Sequence, residues 1–557
     1  MRAVRWRDVA LVLTPFVACA LVYLPTLSGA LLSDDYAVLA ALADWSQEER
    51  LLSALFSKFH TGLDSPSFYY RPLSMVSFAI NFLWVGADPL GWRLTNLYLH
   101  LCSGALVFAI ARRLSVDRGS DASNTGPATA AAVFLLFPTS PEAVAWVSGR
   151  YDLLAVFFML ATLALFQRSA HGYDRWGTAA LLTAACALAS KESATLLPAL
   201  VLAVATARRA ATSRTSVPRV LLLGVRDAAP WLFLGVAYFA MRTAIFGSAF
   251  QVYAGTSPFK ALASGAWMQA LSSTGAWIDA SLPLPFARAL FLYATLALLG
   301  LGTIASWRQR ASWPTWLAVS VSAMLSVGLL LPHLPALAAN GEQGRLFYST
   351  SALLALLAGL AVAGTATRRE VKWRRAMVRV AGLAVIAAEL PLLSATVAPW
   401  SAAGAQARAL IVALSVTANE VPESGYGFVL VPDRLGSVPF GRNAQGGLML
   451  PPTQPLSLSS RLIVQIPADL PAWPANARRG LVDALRHYPL ARVWSAVDSG
   501  RASGAALPTD YFCWAESTSR LVRLSLPEGA QDDWMSSWQK ALAASPCTEL
   551  AAEMRPR

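Results

Sequence analysis

Apolar runs of about the length a helix needs to cross a bilayer, roughly 20 residues, recur from Val9 as far as Val397. Their spacing predicts eleven spans, at 9–27, 93–111, 126–141, 149–166, 177–190, 194–207, 227–245, 285–305, 314–332, 346–365 and 377–398. A further apolar run, Pro72 to Val85, is short for a span and reads as an interfacial or re-entrant helix. Beyond Pro399 the pattern changes. Apolar stretches shrink to strand length at Phe428 to Val431, Leu462 to Ile466, Val493 to Val497 and Leu521 to Leu526. Amphipathic helical stretches lie between them, at Ala475 to His487 and Asp532 to Ala544. The chain therefore divides into a polytopic α-helical membrane domain, 1–398, and a C-terminal soluble α/β domain, 399–557.

Composition agrees. Of 557 residues only 14% are charged and 55% are hydrophobic, with a mean hydropathy of +0.48, against about a quarter charged in a soluble domain. Arg2, Arg5 and Arg7 ahead of the first apolar run resemble the start of a signal peptide, but no small-x-small cleavage site follows, so the run reads as a retained first helix. The net charge of +13 does not point to nucleic acid. The basic residues cluster in short loops between apolar runs, the positive-inside pattern of a membrane protein. Arg112 and Arg113, Arg168 and Arg175, Arg208 and Arg209, Arg308, and Lys372, Arg374 and Arg375 all fall on one side when Pro72 to Val85 does not cross. That arrangement puts the N-terminus in the cytoplasm and the C-terminal domain outside it, with a first outer loop at 28–92. Cys513 and Cys547, in the C-terminal domain, are placed to pair if that domain is extracytoplasmic.

With this topology the polar residues beside the apolar spans gather on the outer side: Asp34, Asp35, Arg71, Glu142, Arg150, Asp152, Lys191, Glu192, His333, Glu342 and Arg345. Ionisable groups at membrane depth are costly and mark cavities or pathways. Acids and bases together suit glycosyl or phosphoryl transfer from a lipid-linked donor. A carboxylate takes the proton of an acceptor hydroxyl, while Arg and Lys hold the leaving phosphate. A hard divalent metal between Asp34 and another acid is compatible with this set but not required by it, and no cofactor follows from the sequence.

Several stretches carry a family resemblance, in order along the chain: Ser33-Asp34-Asp35-Tyr36; Tyr70-Arg71-Pro72-Leu73; Asn96-Leu97-Tyr98-Leu99-His100; Pro141-Glu142-Ala143-Val144-Ala145-Trp146-Val147-Ser148-Gly149-Arg150 with Asp152-Leu153-Leu154; Ser190-Lys191-Glu192; and Arg345-Leu346-Phe347-Tyr348. In them the chain resembles the GT-C superfamily of membrane glycosyltransferases, and is similar to bacterial relatives of the protein O-mannosyltransferases that carry C-terminal TPR repeats. The repeats are absent here. The resemblance implies a polyprenyl-phosphate sugar as donor, a lipid, glycan or protein hydroxyl as acceptor, and a bacterial inner membrane as the setting. It makes Asp34 or Asp35 the general base and Glu142 a second acid. It places Arg71, Lys191 and Arg345 on the donor phosphate, with Arg150, Glu192 and Tyr348 in the same binding set and His100 behind it. The sequence departs from the family at Phe137-Pro138, where His-Pro is typical, and at Gly344-Arg345-Leu346, where Glu-Arg-Tyr is. Two other readings fit the hydropathy: an oligosaccharide ligase or polymerase using a polyprenyl-diphosphate donor, and a transporter or other non-catalytic membrane protein. The placement of the polar set in the first outer loop speaks against the former. The lack of broken mid-bilayer helices and of an internal repeat speaks against the latter.

Overall fold

A computed structural model describes residues 6–47, 69–116, 123–169, 172–212, 215–249, 263, 265–309, 312–330, 337, 339–364, 372–422, 427–467, 510–525 and 534–553. His333, the expected helix at 475–487 and the expected strand at 493–497 lie outside the described residues.

The apolar runs fold as helices. In chain order these are α1 (Trp6–Tyr23), α2 (Asp34–Gln47), α3 (Pro72–Val85), α4 (Pro89–Val116), α5 (Thr125–Leu135), α6 (Pro141–Val144), α7 (Arg150–Phe166), α8 (Arg175–Ser190), α9 (Leu197–Thr212), α10 (Val217–Phe246), α11 (Ala266–Ser281), α12 (Pro285–Arg308), α13 (Trp313–Gly328), α14 (Tyr348–Gly364) and α15 (Lys372–Glu420). Among the described residues eight helical segments are long and apolar enough to cross a membrane, so this is a multi-pass membrane protein. Eleven spans were expected, and the difference is one of length. The helices α5, α8 and α13 stand where spans were predicted but have 11, 16 and 16 residues. At 1.5 Å per residue these reach only about 17 to 24 Å, short of a hydrocarbon core of about 30 Å. The α3 segment, 14 residues, forms the short apolar helix anticipated for it.

The last long helix does not stop at Pro399. It continues to Glu420 with Pro391 and Pro399 inside it. The stretch beyond Trp400 packs on the loop before α2: an ideal Cβ on Gly404 would lie 2.9 Å from the Gly29 Cα, and the Ala30 N–H donates to the Gly404 carbonyl at 2.9 Å. Arg93, buried in α4, donates to the Thr26 and Ala30 carbonyls and fixes the same loop from the other side.

The C-terminal region forms a four-stranded sheet. Strand β1 (Gly427–Leu430) lies parallel between β4 (Leu462–Gln465) and β5 (Asp510–Ala515), and β6 (Arg520–Leu524) closes the edge antiparallel to β5. The short β2 (Arg434–Leu435) and β3 (Val438–Pro439) pair separately. Alternating residues face opposite ways, as a strand requires. Phe428, Leu430, Ile463 and Cys513 pack under α16 (Trp534–Ala543) and α17 (Thr548–Glu553), where a Cys513–Cys547 disulfide ties the turn between the helices to the sheet. Val429, Val431, Leu462, Val464, Phe512 and Trp514 face the other way, into one apolar core continuous with the helical body. The Trp514 indole N–H donates to Gln406 of α15 at 3.0 Å. Membrane helices and sheet thus share a core, and the loops of the sheet are brought against residues 33–36 at the start of α2.

Candidate active site

The acid pair opens α2. Ser33, just before it, has φ 52°, which lets the chain turn sharply into the helix. Asp34 and Asp35 occupy different surroundings. Asp35 is 3% exposed, and three donors converge on its carboxylate. Its Oδ1 accepts from the Ser148 N–H at 2.8 Å and the Ser148 hydroxyl at 2.7 Å, and its Oδ2 from the Leu32 N–H at 3.1 Å. Burial raises the Asp35 pKa to about 6, and the bonds from Ser148 and Leu32 and the charge of Arg93 hold it from rising further. Asp34 is half-buried. Its Oδ1 accepts from the Asn443 amide at 2.8 Å, and the Ser33 hydroxyl oxygen lies 3.4 Å from it. No hydrogen bond to its Oδ2 is seen among the described residues.

The Glu142 to Leu154 block folds as a short helix, a 3-10 turn and the start of α7, and delivers several groups at once. The Trp146 indole donates to the Leu32 carbonyl at 3.2 Å, Ser148 holds Asp35, and Gly149 fits under the chain because any Cβ there would meet the Ala143 carbonyl at 2.4 Å. Glu142, 6% exposed, faces Arg345: the guanidinium stands 3.4 Å from its carboxylate, and the Arg345 N–H donates to it at 3.4 Å. Burial raises the Glu142 pKa; Arg345 opposes the rise, while Glu342 adds to it. The Arg345 guanidinium also lies 4.6 Å over the Trp146 ring.

Two further ion pairs follow. Lys191 contacts both Asp152 oxygens at 2.6 Å. Arg71 makes a two-point contact with Glu192, its closest approach 2.7 Å, and stacks over Tyr69 and Tyr151 at 4.3 and 4.9 Å. Arg242 of α10 reaches the same Glu192 at 3.8 Å. Glu192 thus lies between two guanidinium groups. Arg242 was missed in the sequence, although a lone Arg in an apolar helix is itself a signal.

The remaining expected residues sit elsewhere. Arg150 is fully buried and spends its guanidinium on Asn96 Oδ1 at 2.8 Å and the Trp92 carbonyl at 2.9 Å, over the Phe78 and Trp92 rings. Tyr348, expected near the phosphate, is 1% exposed and its hydroxyl meets His100 Nδ1 at 2.7 Å. His100 Nε2 lies 3.2 Å from the Leu135 carbonyl, and Phe134 packs on both rings. The reason is helix geometry: these three side chains fall on faces of α4, α7 and α14 that turn into the bundle. Among the described residues no three of His, Cys, Asp and Glu are grouped to hold a metal ion.

The C-terminal region supplies a wall that the sequence did not reveal. Arg442 pairs with Asp433 at 2.5 Å and with Glu342 at 3.3 Å, and Arg434 reaches Glu342 at 3.7 Å. The Ser33 hydroxyl donates to the Arg442 carbonyl at 2.8 Å, and the Ser33 N–H to the Phe440 carbonyl at 3.0 Å. Gly447 lies so near Tyr36 that a Cβ would meet the Tyr36 carbonyl at 2.3 Å. Four described non-glycine residues have positive φ, and three of them, Ser33, Gln343 and Asn443, flank this wall; such conformations cost on the order of 1 kcal/mol or more and gather at functional sites.

Comparison with known proteins agrees with the motifs. The chain is similar to the protein O-mannosyl-transferase Tmtc1 of Drosophila melanogaster, 36% identical over 179 residues, which is 31% of this chain and 20% of that one. It is similar to Tmtc2 of the same organism, 33% identical over 187 residues, 31% of this chain and 19% of that one. It is also similar to tmtc2 of Xenopus laevis, 29% identical over 184 residues, 31% of this chain and 21% of that one. The chain thus spans about a fifth of the length of the curated relatives it matches. Among solved structures it is similar to ArnT from Cupriavidus metallidurans bound to undecaprenyl phosphate, at a TM-score of 0.43 and 13% identity, over 82% of this chain and 89% of that one. No family model matches.

Proposed function

We propose that this protein is a membrane glycosyltransferase that moves a sugar from a polyprenyl-phosphate donor to a hydroxyl of a lipid, glycan or protein at the extracytoplasmic face. The observation that carries the proposal is that the block binding Asp35 through Ser148 also bears Glu142, paired with Arg345, and Asp152, paired with Lys191, whose neighbour Glu192 lies between Arg71 and Arg242. The likeness to protein O-mannosyl-transferases supports the same chemistry. Asp34 is the general base: it is the half-buried acid, whereas Asp35 is held by three donors and organises the turn. Asp34 takes the proton of the acceptor hydroxyl. The acceptor oxygen then bonds to the anomeric carbon, the bond from that carbon to the phosphate oxygen breaks, and the electron pair leaves with the phosphate, inverting the anomeric centre. Arg71, Lys191, Arg242 and Arg345 are the cations assigned to stabilise charge developing on the phosphate. Arg150, His100 and Tyr348 brace the helices behind the site. The disulfide in the C-terminal region supports an extracytoplasmic placement, and a bacterial inner membrane remains the setting proposed from the motifs.

The test is mass analysis of glycolipids and glycoproteins from a deletion strain complemented with wild type or Asp34→Asn. Wild type is expected to restore a lost glycoconjugate. Asp34→Asn is expected to reach normal abundance in the membrane but cut transfer by roughly 100-fold or more. Full restoration by Asp34→Asn removes Asp34 from the mechanism.

A further inference from the structure

The C-terminal region is joined to the membrane domain at one unusual place, the acid motif itself. Residues 433–447 reach it by three independent contacts. The Asn443 amide donates to Asp34 Oδ1, the backbone of Phe440 and Arg442 receives both donors of Ser33, and Gly447 presses on the Tyr36 backbone. The segment is braced from behind. Arg442 is clamped between Asp433 and Glu342, and the Asn340 amide donates to the Gly436 carbonyl at 3.0 Å. Asn443 holds φ 55°, a conformation Asn accepts more readily than most residues. A segment built only to bridge two domains does not need a strained residue aimed at a carboxylate.

We propose that Asn443 is a positioning residue of the transferase site, so that the C-terminal region completes the catalytic centre rather than merely carrying an acceptor to it. This rests on the reading of Asp34 as the base. By donating to Oδ1, Asn443 fixes the carboxylate rotamer and directs Oδ2 toward the acceptor. Arg442, the neighbouring cation, is already engaged by two carboxylates and does not replace that donor.

Two measurements on the full-length protein, in membranes of the complemented deletion strain and at matched abundance, test this. The first is product formation over a range of donor concentrations. Asn443→Ala is expected to lower turnover roughly tenfold or more while the KM for the donor stays within about twofold, as loss of a correctly oriented base does. The second is rescue. Asn443→Ser, which keeps a short donor at the same position, is expected to recover part of the lost turnover. Gly447→Ala, which displaces the segment without touching the amide, is expected to lower turnover in the same direction. Wild-type turnover in Asn443→Ala, or a loss that falls on KM and that Asn443→Ser shares in full, overturns the proposal while an inactive Asp34→Asn leaves the transferase reading intact. An active Asp34→Asn overturns that reading, and this proposal with it.

Discussion

Two adjacent aspartates with the same chemistry are separated by where their side chains fall on the first turn of α2. Asp35 turns inward and is buried under Ser148 and Leu32; Asp34 turns outward toward the C-terminal region. A buried acid whose folded pKa lies above its ordinary 3.8, here at about 6, stabilises the fold most at low pH, where it is protonated in both states. That contribution is lost as pH rises from about 4 through 6, and amounts to on the order of 3 kcal/mol. Thermal unfolding of the purified protein is therefore expected to show a component that weakens over this range and is absent in Asp35→Asn. Asp35→Asn is also expected to be less stable than wild type at pH 5, because its amide nitrogen cannot accept from Leu32. An unchanged pH profile in Asp35→Asn shows that Asp35 is not the group responsible. The sequence made these two residues candidates of equal standing, because nothing in residue type or spacing distinguishes an inward from an outward carboxylate.

Helix ends and close approaches decide the site at the scale of elements. The block from Glu142 to Leu154 was legible as a unit because its residues are contiguous, and it folds as one, with Trp146, Ser148 and Glu142 fanning out from one turn. The extension of α15 past Pro399 was not legible. A composition change beyond Pro399 predicted a boundary, yet the helix runs on, and Gly404 lets it cross the loop at Gly29 backbone to backbone beside the Arg93 guanidinium. Gly404→Val is expected to force the two apart, costing about 1–3 kcal/mol as an overpacked contact does. It is also expected to lower transfer by displacing Leu32 and the acid motif. Unfolding temperature and product yield in membranes check the two effects together. A variant with wild-type stability shows that the crossing is not tight. Span length is decided at the same scale: three predicted spans are helical but too short to cross straight through a bilayer.

At the scale of the whole molecule, the sheet and the helices share one core, so the C-terminal region is expected to lose its contact with Asp34 whenever its own fold loosens. Cys513→Ser is expected to weaken the region by about 3 kcal/mol, the usual contribution of a disulfide. Limited proteolysis of the full-length protein is expected to degrade the variant's C-terminal region faster than that of the wild type. Undiminished resistance shows that the sheet holds α16 and α17 without the bond. The sequence by itself determined the membrane class, the position of eleven long or short apolar helices between Val9 and Gly364, and the acid pair and cations as candidates, because hydropathy, charge clustering and contiguous motifs are local properties of the chain. Only the tertiary structure decided which aspartate is reachable, that Arg242 shares Glu192 with Arg71, that Arg150, His100 and Tyr348 are packed inside, and that Asn443 meets Asp34 from across the molecule. Each of these is a contact between residues far apart in sequence, and no local pattern records which distant side chain a carboxylate will face.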